Sequence, residues 1–164
     1  MNNIKKYVKE IIFFSIFVFI FSNIVSFYKS SSLNSQNLNI NTLQTINNKT
    51  YHLPRDKPIM IHIWALWCPI CKLEADNIQS VSKDYEVITI AVKSGTDKEI
   101  KKYLLENNIS FKVVNDIDGL LSSKFNIEVF PTTIIYNKNR EMVFTDVGYT
   151  SSWLLKLKMW YVSI

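Results

Sequence analysis

Ile59-Met60-Ile61-His62-Ile63-Trp64-Ala65-Leu66-Trp67-Cys68-Pro69-Ile70-Cys71-Lys72-Leu73-Glu74 is the stretch on which the reading of this chain turns. Residues 59–64 are almost continuously apolar and rich in β-branched side chains, as a central strand covered on both faces should be. Proline is favoured in a first helical turn, so a helix is expected to start near Pro69 and to run through Leu73 and Ile78 to about Ser82. A buried strand thus delivers the chain to Cys68, and a helix begins just behind it. The first N–H groups of a helix lack partners and its dipole is positive there; both stabilise an anion. A thiolate is the attacking species in disulfide exchange, so Cys68 is set up as a nucleophile near neutral pH. Cys71 lies one turn further on the same face, where it can attack a mixed disulfide on Cys68, release the substrate and close a Cys68–Cys71 bond. Pro69 keeps the first turn rigid, and Ile70 adds apolar surface but nothing to the stabilisation of charge.

These are the only two cysteines in 164 residues. A bridge across so short a loop removes little unfolded-chain entropy and would be a poor staple, and a domain of this size can bury a core without one. The pair therefore reads as chemistry. It could also be half of a zinc or copper site, but a tetrahedral site needs four ligands and the only histidines are His52 and His62. No metal and no bound cofactor is assigned. His62 reads as a hydrogen-bonded core residue or as a proton relay near the cysteines. Glu74 reads as a solvated charge in preference to a group that tunes Cys68.

Outward from this stretch, strands and helices alternate. Residues 42–46 and 50–53 flank Asn47-Asn48 and suggest a hairpin. Residues 86–92 read as a second buried strand, and 97–107 as an amphipathic helix with Ile100, Tyr103, Leu104 and Leu105 on its apolar side. Residues 111–114 suggest a short strand, 116–119 a turn and 120–125 a short helix. Residues 132–136 and 141–147 suggest strands about a hairpin. Ser151 or Ser152 would cap a last helix whose apolar positions include Trp153, Leu154, Leu157 and Trp160; Trp153, Met159, Trp160 and Tyr161 are expected to pack on the sheet, in preference to a second membrane contact. The expected architecture is α/β, a central mixed sheet with helices on both faces.

Toward the N-terminus, residues 1–10 are polar and basic, and residues 11–28, IIFFSIFVFIFSNIVSFY, carry no charge. As a helix these would rise about 27 Å, close to the roughly 30 Å of a hydrocarbon core. An uncleaved membrane anchor is preferred to a signal sequence, because Ser26 offers only a weak cleavage site. Lysines before the span favour a cytoplasmic N-terminus and an exported domain. Residues 29–41, rich in Ser and Asn, read as a tether, and 42–164 as the domain. Of the net charge of +5, +3 falls in residues 1–30, so there is no basic stripe to suggest nucleic acid.

WALWCPICK resembles the active site of the thioredoxin superfamily, especially the membrane-anchored bacterial TlpA-like and ScsD-like disulfide oxidoreductases, with Trp64, Trp67, Cys68, Cys71, Lys72 and Glu74 in the pattern W-x-x-W-C-x-x-C-[KR]-x-E. Val129-Phe130-Pro131-Thr132-Thr133 matches the family's second element. The resemblance implies a thioredoxin-like fold, a redox-active Cys68–Cys71 disulfide and a cis-proline at Pro131 facing it. It also implies a substrate surface at Trp67, Pro69, Ile70, Phe130 and Pro131, with Phe130 offering strand-like backbone hydrogen bonds. The partners it implies are protein thiols or disulfides and a membrane redox partner that recycles the pair. The location it implies is the inner membrane, with the domain in the periplasm. A dedicated reductase for cytochrome c maturation and a non-cycling metal-binding module remain alternatives. Two residues depart from the pattern: His62 stands where many thioredoxins carry a buried acid, and Ala75-Asp76-Asn77 where many TlpA-like proteins carry a proline.

Overall fold

The computed structural model describes residues 38–164 and, near the N-terminus, Tyr7, Lys9, Glu10 and residues 12–14, which are helical. The expected membrane span over residues 11–28 lies, apart from residues 12–14, outside the described residues. Among the described residues no helix is long and apolar enough to cross a membrane.

The elements are β1 (Thr42–Gln44), β2 (Thr50–His52), β3 (Ile59–Trp64), α1 (Pro69–Val81), β4 (Val87–Val92), α2 (Asp97–Glu106), β5 (Lys112–Asp116), α3 (Leu120–Lys124), β6 (Thr132–Tyr136), β7 (Met142–Val147) and α4 (Ser152–Ser163). β1 and β2 pair as a small antiparallel ribbon, and the other five form one sheet in the order β5-β4-β3-β6-β7. β3, β4 and β5 are parallel neighbours, whereas β6 and β7 run antiparallel beyond β3. This is the thioredoxin-like arrangement expected from the sequence.

Every residue of β3 and β4 is buried, because helices or the ribbon cover both faces of the sheet centre. Met60 and Trp64 of β3 pack with Ala75, Ile78 and Val81 of α1, Ile100 of α2, and Leu155 and Met159 of α4. Ile59, Ile61 and Ile63 point the other way, into a core with Leu43, Leu53, Phe125 and Ile127. α1 and α2 share a face because β3-α1-β4 and β4-α2-β5 cross over in the same direction along the sheet, and such crossovers have one hand. Arg140, at the β6–β7 turn, fixes the ribbon by donating to the carbonyls of Ile40 and Leu53, at 3.0 Å each.

Three expectations need correction. Leu38 is buried and its N–H donates to Arg140 O at 3.0 Å, so the domain begins before the tether expected over residues 29–41 has ended. In α2 the sheet-facing residues are Ile100 and Leu104, four apart; Leu105, one position on, is rotated into solvent. In α4 the buried residues are Leu155 and Met159, while Trp153, Leu157 and Trp160 are exposed. α4 is apolar almost all round, so its sequence pattern does not choose a face.

The α4 assignment predicts unequal costs for truncating two leucines only two positions apart. Leu155→Ala empties a fully buried position and should cost about 2–5 kcal/mol, whereas Leu157→Ala should cost under about 1 kcal/mol. Urea unfolding of both variants checks this; equal costs would place the wrong face on the sheet.

Candidate active site

β3 ends at Trp64, which is buried and donates its indole N–H to Thr89 Oγ1 at 3.1 Å. The turn that follows is tied to the end of β4, where Ser94 Oγ accepts from Leu66 N–H at 2.9 Å and donates to Val92 O at 3.0 Å. Cys68 is then the N-cap of α1, with extended backbone angles of φ −91° and ψ 112°, and Pro69 opens the first turn. The Sγ of Cys68 accepts the N–H of Cys71 at 3.2 Å, as an oxygen does in an ordinary cap. No acidic residue sits in the first turn to oppose a thiolate there. Cys68 and Cys71 are joined as a disulfide, with 5.3 Å between their α-carbons.

The opposite wall is the start of β6. The Phe130–Pro131 peptide is cis. The Phe130 carbonyl oxygen lies 3.7 Å from Cys68 Sγ. Pro131 O accepts from Gly148 N–H at 2.8 Å, which ties this wall to the turn after β7. Trp67 is exposed beside the disulfide and meets the Phe130 ring edge-to-face at 5.5 Å. Ile70 and Pro69 are exposed on the same rim, while Pro131 itself is buried. Cys68 is therefore nearly buried, with the exposed Trp67, Pro69 and Ile70 around it and the Phe130 carbonyl beside it.

The structure overturns the expectation that Glu74 is a solvated charge. Glu74 has no exposed surface and lies one turn beyond Cys71 on the inner side of α1. Its Oε1 accepts the N–H of Thr150, just before α4, at 2.9 Å, and its Oε2 has no partner among the described residues. Burial raises its pKa to about 7, the negative charge of Asp146 adds to the rise, and the Thr150 hydrogen bond opposes it. Asp146 pairs in turn with Lys158 of α4. The sequence carries no local sign of this, because the covering residues lie more than 70 positions away.

His62 is buried in β3 with Nδ1 2.9 Å from Thr133 Oγ1, its cross-strand neighbour in β6. Desolvation lowers its pKa to about 3. His52 is exposed on β2. Neither histidine is brought to the cysteines as a metal ligand, and among the described residues no three His, Cys, Asp or Glu side chains are grouped to hold a metal.

The AhpC/TSA family matches this chain over residues 31–145. The chain belongs to the AhpC/TSA family. A thioredoxin-like protein of Haemophilus influenzae is 31% identical over 130 residues, 77% of each chain. The sporulation thiol-disulfide oxidoreductase A of Bacillus subtilis is 25% identical over 122 residues, 70% of this chain and 74% of its own. The crystal structure of StoA from Bacillus subtilis shares the fold, with a TM-score of 0.61 at 24% identity over 71% of this chain and 92% of that one. Fold and family make this a thioredoxin-like protein, with Cys68–Cys71 as its CxxC redox centre. α4 lies beyond the residues that the family matches.

The buried acid has a measurable signature. A carboxylic acid whose folded pKa of about 7 exceeds its unfolded value of about 4.5 stabilises the fold most below pH 4.5, and that stability is lost as pH rises through 7. Glu74→Gln removes the cost of burying the charge. It should leave stability at pH 4 nearly unchanged and raise it at pH 8 by up to about 3 kcal/mol, since each tenfold change in proton affinity is worth about 1.4 kcal/mol. Thermal unfolding across this range checks it; a pH-independent difference between the two proteins would be incompatible with a buried, titrating Glu74.

Proposed function

We propose that this protein is a thiol–disulfide oxidoreductase that exchanges disulfides with exported proteins, held at the outer side of a bacterial inner membrane by residues 11–28. The reading rests on one observation above all: a Cys68–Cys71 disulfide at the head of α1, with Cys68 Sγ under the Cys71 N–H and beside the Phe130 carbonyl. In the reducing direction the Cys68 thiolate attacks one sulfur of a substrate disulfide. A bond forms between Cys68 Sγ and that sulfur, and the other substrate sulfur leaves as a thiolate and takes a proton from solvent. Cys71 then gives up its proton and attacks Cys68 Sγ. The Cys68–Cys71 bond closes, the second substrate sulfur leaves, and two electrons have passed from the pair to the substrate. Oxidation of a dithiol substrate is the same path reversed.

The proton from Cys71 goes to Glu74 in this scheme. Glu74 is buried one turn away and titrates near neutral pH, where a base can both take and return a proton. His62, the other candidate for a relay, takes up a second ring proton only under acid conditions. The substrate's cysteine segment lies across the opening formed by Trp67, Pro69, Ile70, Phe130 and Pro131, with the Phe130 backbone available to an extended chain. The spacing W-x-x-W-C-x-x-C-K-x-E favours the TlpA-like and ScsD-like branch. A membrane dithiol or disulfide protein recycles the pair and sets the net direction.

Three variants test the scheme. Cys68→Ser should abolish reduction of a protein disulfide such as that of insulin. Cys71→Ser should accumulate mixed disulfides with client proteins that a small thiol reductant releases. Glu74→Gln should slow resolution of the mixed disulfide on the order of 100-fold while leaving its formation less affected. Turnover unchanged in Cys68→Ser would end the redox reading. Alkaline carbonate extraction tests the anchor: the full chain should stay with the membrane pellet.

A further inference from the structure

The last helix has two apolar faces and the domain uses one. Leu155 and Met159 are buried against the sheet and α1. Trp153, Leu157, Trp160, Tyr161 and Ile164 follow at spacings of four, three, one and three, which puts them along a single stripe. All five are exposed, Trp153 at 72% and Trp160 at 56%. The only charges on α4, Lys156 and Lys158, turn back to Asp84 and Asp146 and leave the stripe uncharged. A helix that is apolar all round is ordinarily covered all round.

The C-terminal end of α4, at Ser163, borders a lysine-lined groove. Ser163 lines an open hollow of about 500 Å³ together with Lys57, Lys83, Tyr85, Glu86 and Lys112. Lys57 and Lys112 share the carboxylate of Glu86, Lys156 takes Asp84, and Lys83 has no ion-pair partner among the described residues. Three lysines against the carboxylates of Asp84 and Glu86 leave +1 in the lining of this groove. Tryptophan and tyrosine on an apolar stripe, bordered by lysine, is the composition of a helix lying in a membrane interface. The N-terminal sequence argues for the same occupant. The uncharged stretch 11–28 is separated from Leu38 by nine residues, and nine residues extend to about 30 Å at most. On the anchor reading proposed above, a domain joined to residues 11–28 by so short a tether stays within its own diameter of the lipid surface.

We propose that the outer face of α4 rests on a lipid surface, with Trp153, Leu157, Trp160, Tyr161 and Ile164 at the boundary between headgroups and acyl chains and the lysine-rimmed groove over anionic headgroups. The N-terminal end of α4 is joined to the candidate active site through Thr150 and Glu74 and through Gly148 and Pro131. Lipid contact along α4 therefore fixes the orientation of the Cys68 opening relative to the membrane. The proposal does not depend on the exchange chemistry, and insulin reduction measured on the same preparation tests that separately.

The test uses the full chain reconstituted into vesicles of phosphatidylcholine and phosphatidylglycerol, with phospholipids brominated high on their acyl chains as quenchers. The chain has four tryptophans; Trp64 is buried in the core and Trp67 borders Cys68, so Trp153 and Trp160 should account for most of the bromine-dependent loss of emission. W153F/W160F should lose that quenching and keep the wild-type thermal transition, W67F should retain it, and K83Q should weaken its dependence on phosphatidylglycerol. Wild-type emission insensitive to bromolipid, or quenching that persists in W153F/W160F, would overturn the proposal. So would efficient disulfide cross-linking of W160C to a second copy in a C68S/C71S background, which would show that the stripe is a dimer face.

Discussion

The junction between β3 and α1 is the constraint on which the site depends. A strand buried on both faces cannot end in the core, so it runs to the sheet edge before the chain turns. The helix that follows needs a side-chain acceptor for its unpaired N–H groups, and here that acceptor is the sulfur of Cys68. The cap and the nucleophile are therefore one interaction. A thiolate accepts a hydrogen bond better than a disulfide sulfur does, so the cap is stronger in the reduced protein. A cap contributes about 1 kcal/mol, and about 1.4 kcal/mol corresponds to about 30 mV for a two-electron couple. The cap alone thus favours the dithiol by roughly 20 mV. That is small against the span of about 150 mV between thioredoxin and DsbA, so the rest of the site must set the poise.

The remaining parts of the site are placed by sheet register. β6 pairs with β3 so that Thr132 lies opposite Ile63, which brings Pro131 just beyond the end of the pair, beside the turn that carries Cys68. β7 pairs with β6 so that Val147 lies opposite Thr132, and the chain leaves the sheet at Gly148. Gly148 has φ +90°, where a side chain would be strained, and its N–H reaches Pro131 O. The next residues bring Thr150 onto Glu74. Two antiparallel pairings, β6 on β3 and β7 on β6, thus position the wall against which a substrate would lie and the cover over the buried acid of α1.

The sequence is legible where local chemistry and burial agree. β3 and β4 announce themselves because central strands are apolar on both faces, and α1 because Pro69 follows a capping position. Cys68, Cys71 and Pro131 are recognisable through a motif and a distant proline that the fold brings together. Glu74 misleads because an acid on a helix is ordinarily wet, and the group that covers it, Thr150, is set by tertiary packing. His62 is legible as a buried, hydrogen-bonded residue, but its partner Thr133 comes from a strand 71 residues away. The face of α4 is illegible because both of its sides are apolar, so periodicity carries no information there. Leu38 passes for part of the tether because one leucine among Ser and Asn gives no periodic signal at all.

α4 links the proton chemistry to the rest of the fold. Lys158 pairs with Asp146, whose negative charge acts on the neighbouring Glu74, and each carboxylate of this cluster has an oxygen that is buried without a partner among the described residues. With Glu74 ionised the cluster carries an uncompensated negative charge inside the domain; with Glu74 protonated it is balanced. α4 supplies the ammonium group, and the turn leading into it supplies the Thr150 N–H and much of the burial. Loosening α4 from α1 would hydrate Glu74 and let its pKa fall toward that of an ordinary carboxyl group, away from the range that the proposed proton transfer with Cys71 requires. The docking of α4 and the proton affinity of Glu74 are thus one equilibrium, and whatever holds the outer face of this helix acts on both.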